Sequence, residues 1–390
     1  MASFLSDAYD LFWDERWWFG SKINGTKYGW KDLENTPGSD VYFPKSVDLH
    51  GAILLGVFIV VLRYFLDKYV IYPLGYYLGI KRKRPLNLPT IPALETLYKH
   101  KVKPDSRVLQ GLSKQLDMSE NSIQKWFRIR QKIDRVPMIK KFADCCSHFI
   151  FYSIAFIYGL VVLWDKTWLW ETGNFFPGWP KQHVVPELYY YYQMELGFYW
   201  GLIFTLCFDH RRKDFMEMII HHIATMFLIY FSWQINFVRT GSLVLFVHDA
   251  ADPWLALSKA TDYLKWDSAK TVCFVTFLVV WISTRLVYFP FWVLHATTFG
   301  NFREGQLEQY FPVYFVCNVL LYTLMVLHLF WSYSIGKIAF KTLEANGEIK
   351  DIRSDFENDS DFEKKSCNVH TTNDCNGNAH DPCSNGNVHS

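Results

Sequence analysis

Long apolar runs separated by short polar segments dominate the hydrophobic pattern of the chain. Seven of these runs approach the roughly 20 residues that cross a bilayer as a helix, and they cover Leu49–Leu66, Cys146–Trp164, Leu188–Phe208, Phe215–Trp233, Gly241–Tyr263, Thr271–His295 and Phe311–Gly336. The pattern predicts an all-α polytopic membrane protein with seven transmembrane helices. Residues 337–390 are polar and acidic, and such a composition predicts a disordered tail.

The positive charges indicate how the predicted spans are oriented. Lys and Arg concentrate in four segments, which are 81–84, 125–141, 211–213 and 337–341. Because positively charged loops stay on the cytosolic side of a membrane, we expect residues 1–48 to be lumenal and residues 337–390 to be cytosolic. The triplet Asn24-Gly25-Thr26 has the pattern of an N-glycosylation site. Asn24 is therefore a candidate for glycosylation on the lumenal side.

A basic insert, residues 81–143, follows the first span and its linker (49–80). Asp105–Leu116 and Ser119–Gln131 are predicted to be amphipathic helices, and the second resembles the recognition helix of a homeodomain. Ile129 replaces the adenine-reading Asn of that family, and we expect the insert to be too short for three homeodomain helices and a basic arm. We therefore expect no nucleic acid partner and favour contact with membrane or nucleotide phosphates. A membrane-tethered homeodomain-like regulator remains an alternative.

Five ionisable residues lie inside two consecutive apolar runs. His221 and His222 belong to the fourth predicted span, and His248, Asp249 and Asp252 belong to the fifth. Each such group costs about 2.5–3.5 kcal/mol to insert into a membrane, so these groups are rare and are usually functional or paired. Their concentration on two neighbouring spans predicts an active site inside the membrane.

Helical spacing places the two carboxylates of the fifth span on one face. Asp249 and Asp252 are three residues apart, and Lys259 continues the same stripe. His222 and Asp252 each lie about ten residues, or roughly 15 Å, from the cytosolic ends of their spans. We therefore expect them at similar depth, with one histidine of the adjacent pair facing the carboxylates.

Acyl transfer is the chemistry that this set of residues suits best. An imidazole accepts an acyl group from a thioester, a carboxylate orients the imidazole, and a second acid–base group takes the proton of an incoming amine. The basic turn Arg211, Arg212 and Lys213 at the cytosolic end is suited to bind the phosphates of coenzyme A. A zinc hydrolase with His221 or His222, His248 and Asp252 as ligands stays open. A buried polar network that joins the spans, or a proton path in a transporter, stays open as well.

Several motifs resemble one known family. Residues 212–222 read RKDFxExxxHH, residues 232–241 read SWxxNxxRxG, and residues 248–252 read HDxAD, followed by Lys259 and Tyr263. This set resembles the signature of the ceramide synthases, TLC-domain enzymes that acylate the nitrogen of sphingoid bases with fatty acyl-CoA. The homeodomain-like insert, the segment RVPMIKKFADCCSHFIFY and DIRSD in the tail fit animal members of the family. The resemblance covers roughly residues 45–360.

The resemblance implies an endoplasmic reticulum enzyme whose last six helices, within a catalytic domain at 144–336, enclose a cavity for the acyl chain. It implies that His221 carries the acyl group and that His222, Asp249 and Asp252 act as acid–base and orienting groups. It gives supporting positions to His248, Asn236, Arg239 and Lys259. The expected partners are fatty acyl-CoA, a sphingoid base, the bilayer and a second subunit of a homo- or heterodimer, without a metal or other cofactor. A non-catalytic lipid sensor or carrier on the same fold remains an alternative.

Other polar positions carry weaker expectations. Glu195 in the third span is expected to pair with Arg285 or to face the cavity, and His148, His295 and His328 are expected at membrane interfaces. Loop 296–309 corresponds to a loop that is associated with chain-length choice in the family. The chain departs from the family pattern at Ala256, where a Glu is usual, and at Asp262, where Asn is frequent, and Pro253 predicts a kink. The candidate phosphorylation sites in the acidic tail are Ser354 and Ser360.

Overall fold

The computed structural model describes residues 9–20, 26–83, 86–99, 105–206, 214–300 and 311–344, and the regular elements in these ranges are helices. Helix α1 (Gly51–Leu66) continues through a π-helical turn (Asp67–Ile71) into α2 (Tyr72–Tyr77). The insert contains α3 (Pro92–Lys99), α4 (Ser106–Leu116) and α5 (Glu120–Asp134). The main bundle contains α6 (Met138–Leu163), α7 (Pro186–Leu206), α8 (Phe215–Gln234), α9 (Val238–Asp249), α10 (Asp252–Tyr263), α11 (Asp267–Trp281) with a π-helical continuation (Ile282–Leu294), and α12 (Pro312–Glu344). The predicted all-α class is confirmed.

Five helical stretches of the described chain are long and apolar enough to cross a membrane, namely Ser46–Tyr77, Glu120–Leu163, Phe215–Gln234, Asp267–Phe299 and Pro312–Thr342. Only 17% of the most apolar part of the first stretch is buried. Large apolar side chains such as Leu54, Phe58 and Leu62 therefore face outward. Such continuous apolar surface indicates contact with lipid. The remaining two predicted spans correspond to α7 and to α9 with α10.

The prediction that Pro253 kinks the span at Gly241–Tyr263 is confirmed. Helix α9 ends at Asp249 and α10 begins at Asp252, so the regular helix is interrupted at Ala250 and Ala251. Pro253, in the first turn of α10, lacks an amide hydrogen, and its ring occupies the space of a carbonyl one turn earlier. Ala250 and Ala251 keep right-handed helical backbone angles, so the span is kinked between two half-helices.

Close contact between α1 and α7 depends on small residues. A Cβ atom on Gly56 would lie 2.7 Å from the Cβ of Trp200 and 2.9 Å from the carbonyl oxygen of Gly197. A Cβ atom on Gly197 would in turn lie 2.9 Å from Leu55 Cγ. Small residues let membrane helices approach until their backbones touch, which maximises van der Waals packing. The pair of glycines therefore fixes the first helix against the rest of the bundle.

The insert is a compact three-helix unit. Its core contains apolar side chains from α3, α4 and α5, namely Leu94, Leu109, Leu112, Ile123, Trp126 and Phe127. The expectation that the segment is too short for three helices is wrong, because α3 supplies the first one. Arg130 on α5 pairs with Asp134 and, at 2.9 Å, with Glu95 on α3. Hydrogen bonds to Asp134 and Glu95 raise the pKa of the Arg130 guanidinium.

We call the two ends of the bundle the insert end, which holds α3–α5, and the aromatic end. At the aromatic end, the rings of Trp18 and Phe231 lie 5.9 Å apart, and Trp179 stacks on Phe311 at 5.3 Å. Trp179 Nε1 also donates to the carbonyl of Ile235 at 2.6 Å. The N-terminal segment and the loop 164–185 thus cover this end of the bundle together.

Candidate active site

An apolar cavity lies between α7, α8, α9 and α12 and contains about 730 Å³ of empty space, including its open part. Leucine and valine side chains form most of the wall, among them Leu228, Val244, Leu245, Leu321 and Leu324. Phe237 and Tyr314 line the cavity toward the aromatic end, while His248 and Asp249 line its other end. A cavity with mostly apolar walls and a few polar groups suits a ligand that is largely apolar. Asp249 is the predicted catalytic residue that lines the cavity, at the end away from the aromatic cover.

The two histidines of α8 lie against aromatic side chains from two other helices. The ring centroids of His221 and His222 are 5.6 Å apart. His222 is 5.6 Å from Tyr199 on α7, and His221 is 5.5 Å from Trp331 on α12. His221 Nδ1 is buried and has no hydrogen-bond partner in the described part of the chain. Because one ring nitrogen is uncommitted, the His221 imidazole is free to react with a ligand.

Asp249 forms a carboxyl pair with Glu195 of α7. The hydroxyl of Tyr191 donates to Asp249 Oδ2 at 3.0 Å, and the Glu195 carboxyl is also hydrogen-bonded to Asp249. A hydrogen bond between two carboxyl groups requires a proton on one of them. Glu195 is 1% exposed, and its Oε1 has no partner among the described residues. The pair is therefore equipped to accept or release a proton in a site with little access to water.

Arg285 neutralises the second carboxylate of the site. Its Nη2 atom lies 3.5 Å from Asp252 Oδ2 and also donates to the carbonyl of His248, which the helix break leaves without its usual partner. Its Nη1 atom lies 3.2 Å from His328 Nε2, and the guanidinium lies over the ring of Trp281. Arg285 thus holds the two half-helices α9 and α10 to α11 and α12.

Tyr199 links the histidines to the carboxylates. Its ring contacts both histidines, and its hydroxyl lies within electrostatic range of Glu195, Asp249 and Asp252. His221 lies within electrostatic range of Arg285 and His248. The structure therefore brings His221, His222, Asp249 and Asp252 into one polar region, with His248 beside them.

The structure identifies the partners of three buried residues in and beside the site. Glu195 was expected to pair with Arg285 or to face the cavity, and it is hydrogen-bonded to Asp249. His328 was expected at an interface, but it is fully buried near the middle of α12, with its ring 5.0 Å from His248. Arg285 was expected to bind a structural partner or a lipid headgroup, and it binds Asp252. Only their position inside apolar runs marked these side chains as unusual.

The proposed supporting residues divide into two groups. Asn236 donates to the carbonyls of Pro180 and Gln182 at 2.8 and 2.7 Å, and Arg239 donates to the carbonyl of Asn174 at 2.9 Å. Both hold the loop at the aromatic end, roughly 18 Å along α8 from the histidines. Lys259 lies within electrostatic range of Asp252. Lys259 and His248 therefore belong to the site, whereas Asn236 and Arg239 stabilise the covering loop.

Several predicted positions fall outside the described residues. They are the basic turn Arg211, Arg212 and Lys213, the sequon residue Asn24, the tail residues Ser354 and Ser360, and residues 301–309 of the loop before α12. Across the ranges that the structure covers, no group of three or more His, Cys, Asp or Glu side chains is arranged to hold a metal ion.

Comparison with known proteins identifies the family. Residues 141–337 match the family model of the TLC domain, and residues 81–133 match that of the homeodomain. The chain is 37% identical to ceramide synthase 3 of Mus musculus over 89% of this chain and 88% of the relative. It is 35% identical to ceramide synthase 5 of Homo sapiens (92% and 90% coverage) and 36% identical to ceramide synthase 4 of Bos taurus (90% and 87%). The chain belongs to the ceramide synthase family of TLC-domain proteins.

Proposed function

We propose that the chain is an acyl-CoA-dependent sphingoid base N-acyltransferase that makes ceramide or dihydroceramide. The observation that carries the proposal is the meeting of two histidines with Glu195, Asp249 and Asp252 at one end of an apolar cavity. The histidines are suited to acyl transfer, and the cavity is suited to a hydrocarbon chain. The relatives named as ceramide synthases support the same reaction.

The proposed topology has seven spans in the endoplasmic reticulum membrane. The aromatic end is lumenal, the insert end and the C-terminus are cytosolic, and helices α6–α12 enclose the acyl chain. The positive charges of the insert and of residues 337–341 support this orientation, because Lys and Arg are retained on the cytosolic side. The site lies toward the insert end, so the thioester reaches it from the side on which acyl-CoA is soluble.

In the first step, the His221 imidazole attacks the thioester carbonyl. A carbon–nitrogen bond forms, the carbon–sulfur bond breaks, and the proton of the imidazole passes to the departing thiolate. Arg211, Arg212 and Lys213 bind the phosphates of coenzyme A through charge-assisted hydrogen bonds. His222 lies beside the carrier and mediates the proton transfer, since its ring is within 5.6 Å of that of His221.

In the second step, the sphingoid amine attacks the acyl-imidazole and releases the histidine. The amine enters as an ammonium ion and must lose a proton before it can attack. Asp252 and the Asp249–Glu195 pair are the bases within the site, and Tyr191 and Arg285 hold them in place. The amide forms, the carbon–nitrogen bond to His221 breaks, and the imidazole recovers a proton from these groups.

Intact-mass spectrometry after incubation with palmitoyl-CoA alone tests the covalent step. The wild-type protein should gain one acyl mass, which sphinganine then removes, and the His221→Ala variant should gain none. His295→Ala is the matched control, because His295 is exposed at the other end of the bundle. An active wild type without added mass would establish direct attack, with the histidine acting only as a base. Lipid binding without turnover would favour a lipid sensor or carrier.

A further inference from the structure

Four side-chain atoms in the cavity wall are buried without a hydrogen-bond partner in the described part of the chain, and two of them, Thr240 Oγ1 and Asn318 Oδ1, lie away from the end that holds Thr225 and His248. Thr240 is 7% exposed, and its Oγ1 atom is buried without a hydrogen bond. Asn318 donates its Nδ2 hydrogen to the carbonyl of Tyr314 at 3.1 Å, while its Oδ1 atom is buried without a partner. Both residues line the cavity. Buried polar atoms are nearly always paired, so two open ones in one cavity require an explanation.

Thr240 differs from other helical threonines of the chain. A threonine inside a helix commonly donates to the carbonyl one turn earlier, as Thr276, Thr284 and Thr323 do at 2.7 to 2.9 Å. Thr240 lies in the first turn of α9, and the residue four positions earlier, Asn236, precedes the helix with a φ of 58°, so the Thr240 hydroxyl has no helical carbonyl to bond. Its hydroxyl is therefore available to a molecule in the cavity.

Thr240 and Asn318 lie in the same layer of the bundle. The rings of Phe237 and Tyr314 lie 5.7 Å apart, and each of the two residues follows one of these aromatics by about one helical turn. At the other end of the cavity, α9 and α12 meet again through His248 and His328, at 5.0 Å. The two helices consequently face each other across the cavity, and the layer lies roughly 12–15 Å from His248 and His328 at 1.5 Å per residue.

The neighbouring polar groups of this layer are already paired. Tyr192 and Ser232 share a hydrogen bond of 3.1 Å, and Ser232 also donates to the carbonyl of Ile229. Gly241 keeps the wall close to them, since a Cβ atom there would lie 1.9 Å from the Tyr192 hydroxyl oxygen. Thr225 has another open Oγ1 atom, but it lies one turn from His221 and belongs to the reacting end.

We propose that Thr240 and Asn318 form a subsite for a hydroxyl group in the interior of the acyl chain. The inference rests on the proposed function, in which the cavity holds the acyl chain with its carbonyl at His221. Asn318 Oδ1 only accepts a hydrogen bond, the Thr240 hydroxyl donates one, and an alcohol satisfies both at once. A plain hydrocarbon chain leaves both atoms unpaired. The substrate class is therefore fatty acyl-CoA with a hydroxyl near the middle of the chain.

The test compares stearoyl-CoA with a hydroxystearoyl-CoA whose hydroxyl is near the middle of the chain. The wild type should have the higher kcat/KM with the hydroxylated substrate. Thr240→Val and Asn318→Leu should each lower the ratio of the two kcat/KM values by about tenfold, because an unpaired polar group is then buried with the substrate. Thr323→Val is the matched control, since its hydroxyl is bonded to Val319 of its own helix, and it should leave the ratio unchanged.

The outcomes separate the subsite from the proposed function. An equal or lower kcat/KM with hydroxystearoyl-CoA, or an unchanged ratio in both cavity variants, overturns the subsite and leaves the N-acyltransferase in place. Failure to acylate sphinganine with stearoyl-CoA overturns the proposed function. A binding measurement tests the subsite without turnover. The purified protein is incubated with free hydroxystearic and stearic acids, and mass spectrometry compares how much of each acid it retains. If Asn318→Leu does not fold, the kcat/KM ratio of the nearly isosteric Thr240→Val variant tests the subsite alone.

Discussion

Arg285 and Asp252 form an ion pair of 3.5 Å between the π-helical continuation of α11 and the start of α10. The arginine side chain is 4% exposed and that of Asp252 is 25% exposed. The same guanidinium binds the carbonyl of His248 at the end of α9. One side chain thus binds both half-helices of the kinked span at the point where the proposed catalytic carboxylates lie.

Arg285→Leu should therefore destabilise the protein and abolish most of its activity. Removal of one partner from a buried ion pair costs about 3–5 kcal/mol of unfolding free energy. Because Asp252 is partly exposed, we expect a cost near the lower end, about 3 kcal/mol. Arg285→Lys keeps the charge but not the planar pair of donors, so we expect intermediate activity. Thermal unfolding in detergent and kcat for sphinganine acylation measure the two effects. A fully active Arg285→Leu enzyme would contradict the positioning role.

Glu195 should act through its hydrogen bond with Asp249. Glu195→Gln keeps a hydrogen-bond donor and should retain most of the stability, whereas Glu195→Leu leaves Asp249 with fewer partners and should cost about 1–3 kcal/mol. If the pair accepts the proton of the amine, Glu195→Gln should lower kcat more than it changes KM. Steady-state kinetics beside a thermal unfolding curve separate these effects. Equal kcat in the wild type and in Glu195→Gln would restrict Glu195 to a structural role.

The contact between α1 and α7 predicts a size limit at Gly56. Gly56→Ala places a methyl group 2.7 Å from Trp200 Cβ and 2.9 Å from the backbone of Gly197, so the helices must separate. Overpacking of this kind typically costs about 1–3 kcal/mol. Gly336→Ala is the matched control, because no atom lies within 4 Å of the added methyl group. The midpoint of thermal unfolding should fall for the first variant and not for the second.

The N-terminal segment should loosen at low pH. Lys181 Nζ lies 3.0 Å from Asp32 Oδ1, and this hydrogen bond, with that from Gly29, lowers the pKa of Asp32 below its usual 3.8. The stabilisation is therefore present above about pH 3.8 and is lost as the pH falls through the lowered pKa. Asp32 is partly exposed, so its contribution is at most about 1 kcal/mol. Hydrogen exchange of residues 26–44 at neutral and acidic pH should show the change, and Asp32→Asn should remove it.

The sequence was sufficient for the helical class and for the polar residues of the site. Long apolar runs predict membrane helices directly, and ionisable residues within them stand out because insertion is costly. The interruption between α9 and α10 was harder to place, since the segments on both sides of Pro253 together have the length of one span. Only the backbone chemistry of proline indicated a disturbance there.

Partners from distant helices could not be read from the chain. His328 follows His248 by 80 residues, and nothing in either run indicates that the two rings pack at 5.0 Å. Glu195 was expected to pair with Arg285 or to face the cavity, and the tertiary packing of α7 against α9 pairs it with Asp249 instead. Asn236 and Arg239 were grouped with the site through a motif, although they hold the loop at the aromatic end.

The position of Arg285 has a consequence for membrane integration. Arg285 follows Asp249 and Asp252 in the chain, so the ribosome releases both carboxylates before it has made the cation that neutralises one of them. Until then the half-helices carry an uncompensated penalty of about 2.5–3.5 kcal/mol for each charge. In the proposed seven-span topology, stable integration of α9 and α10 therefore depends on the helix that is translated next, and a nascent chain that ends before Arg285 should leave these two segments outside the bilayer.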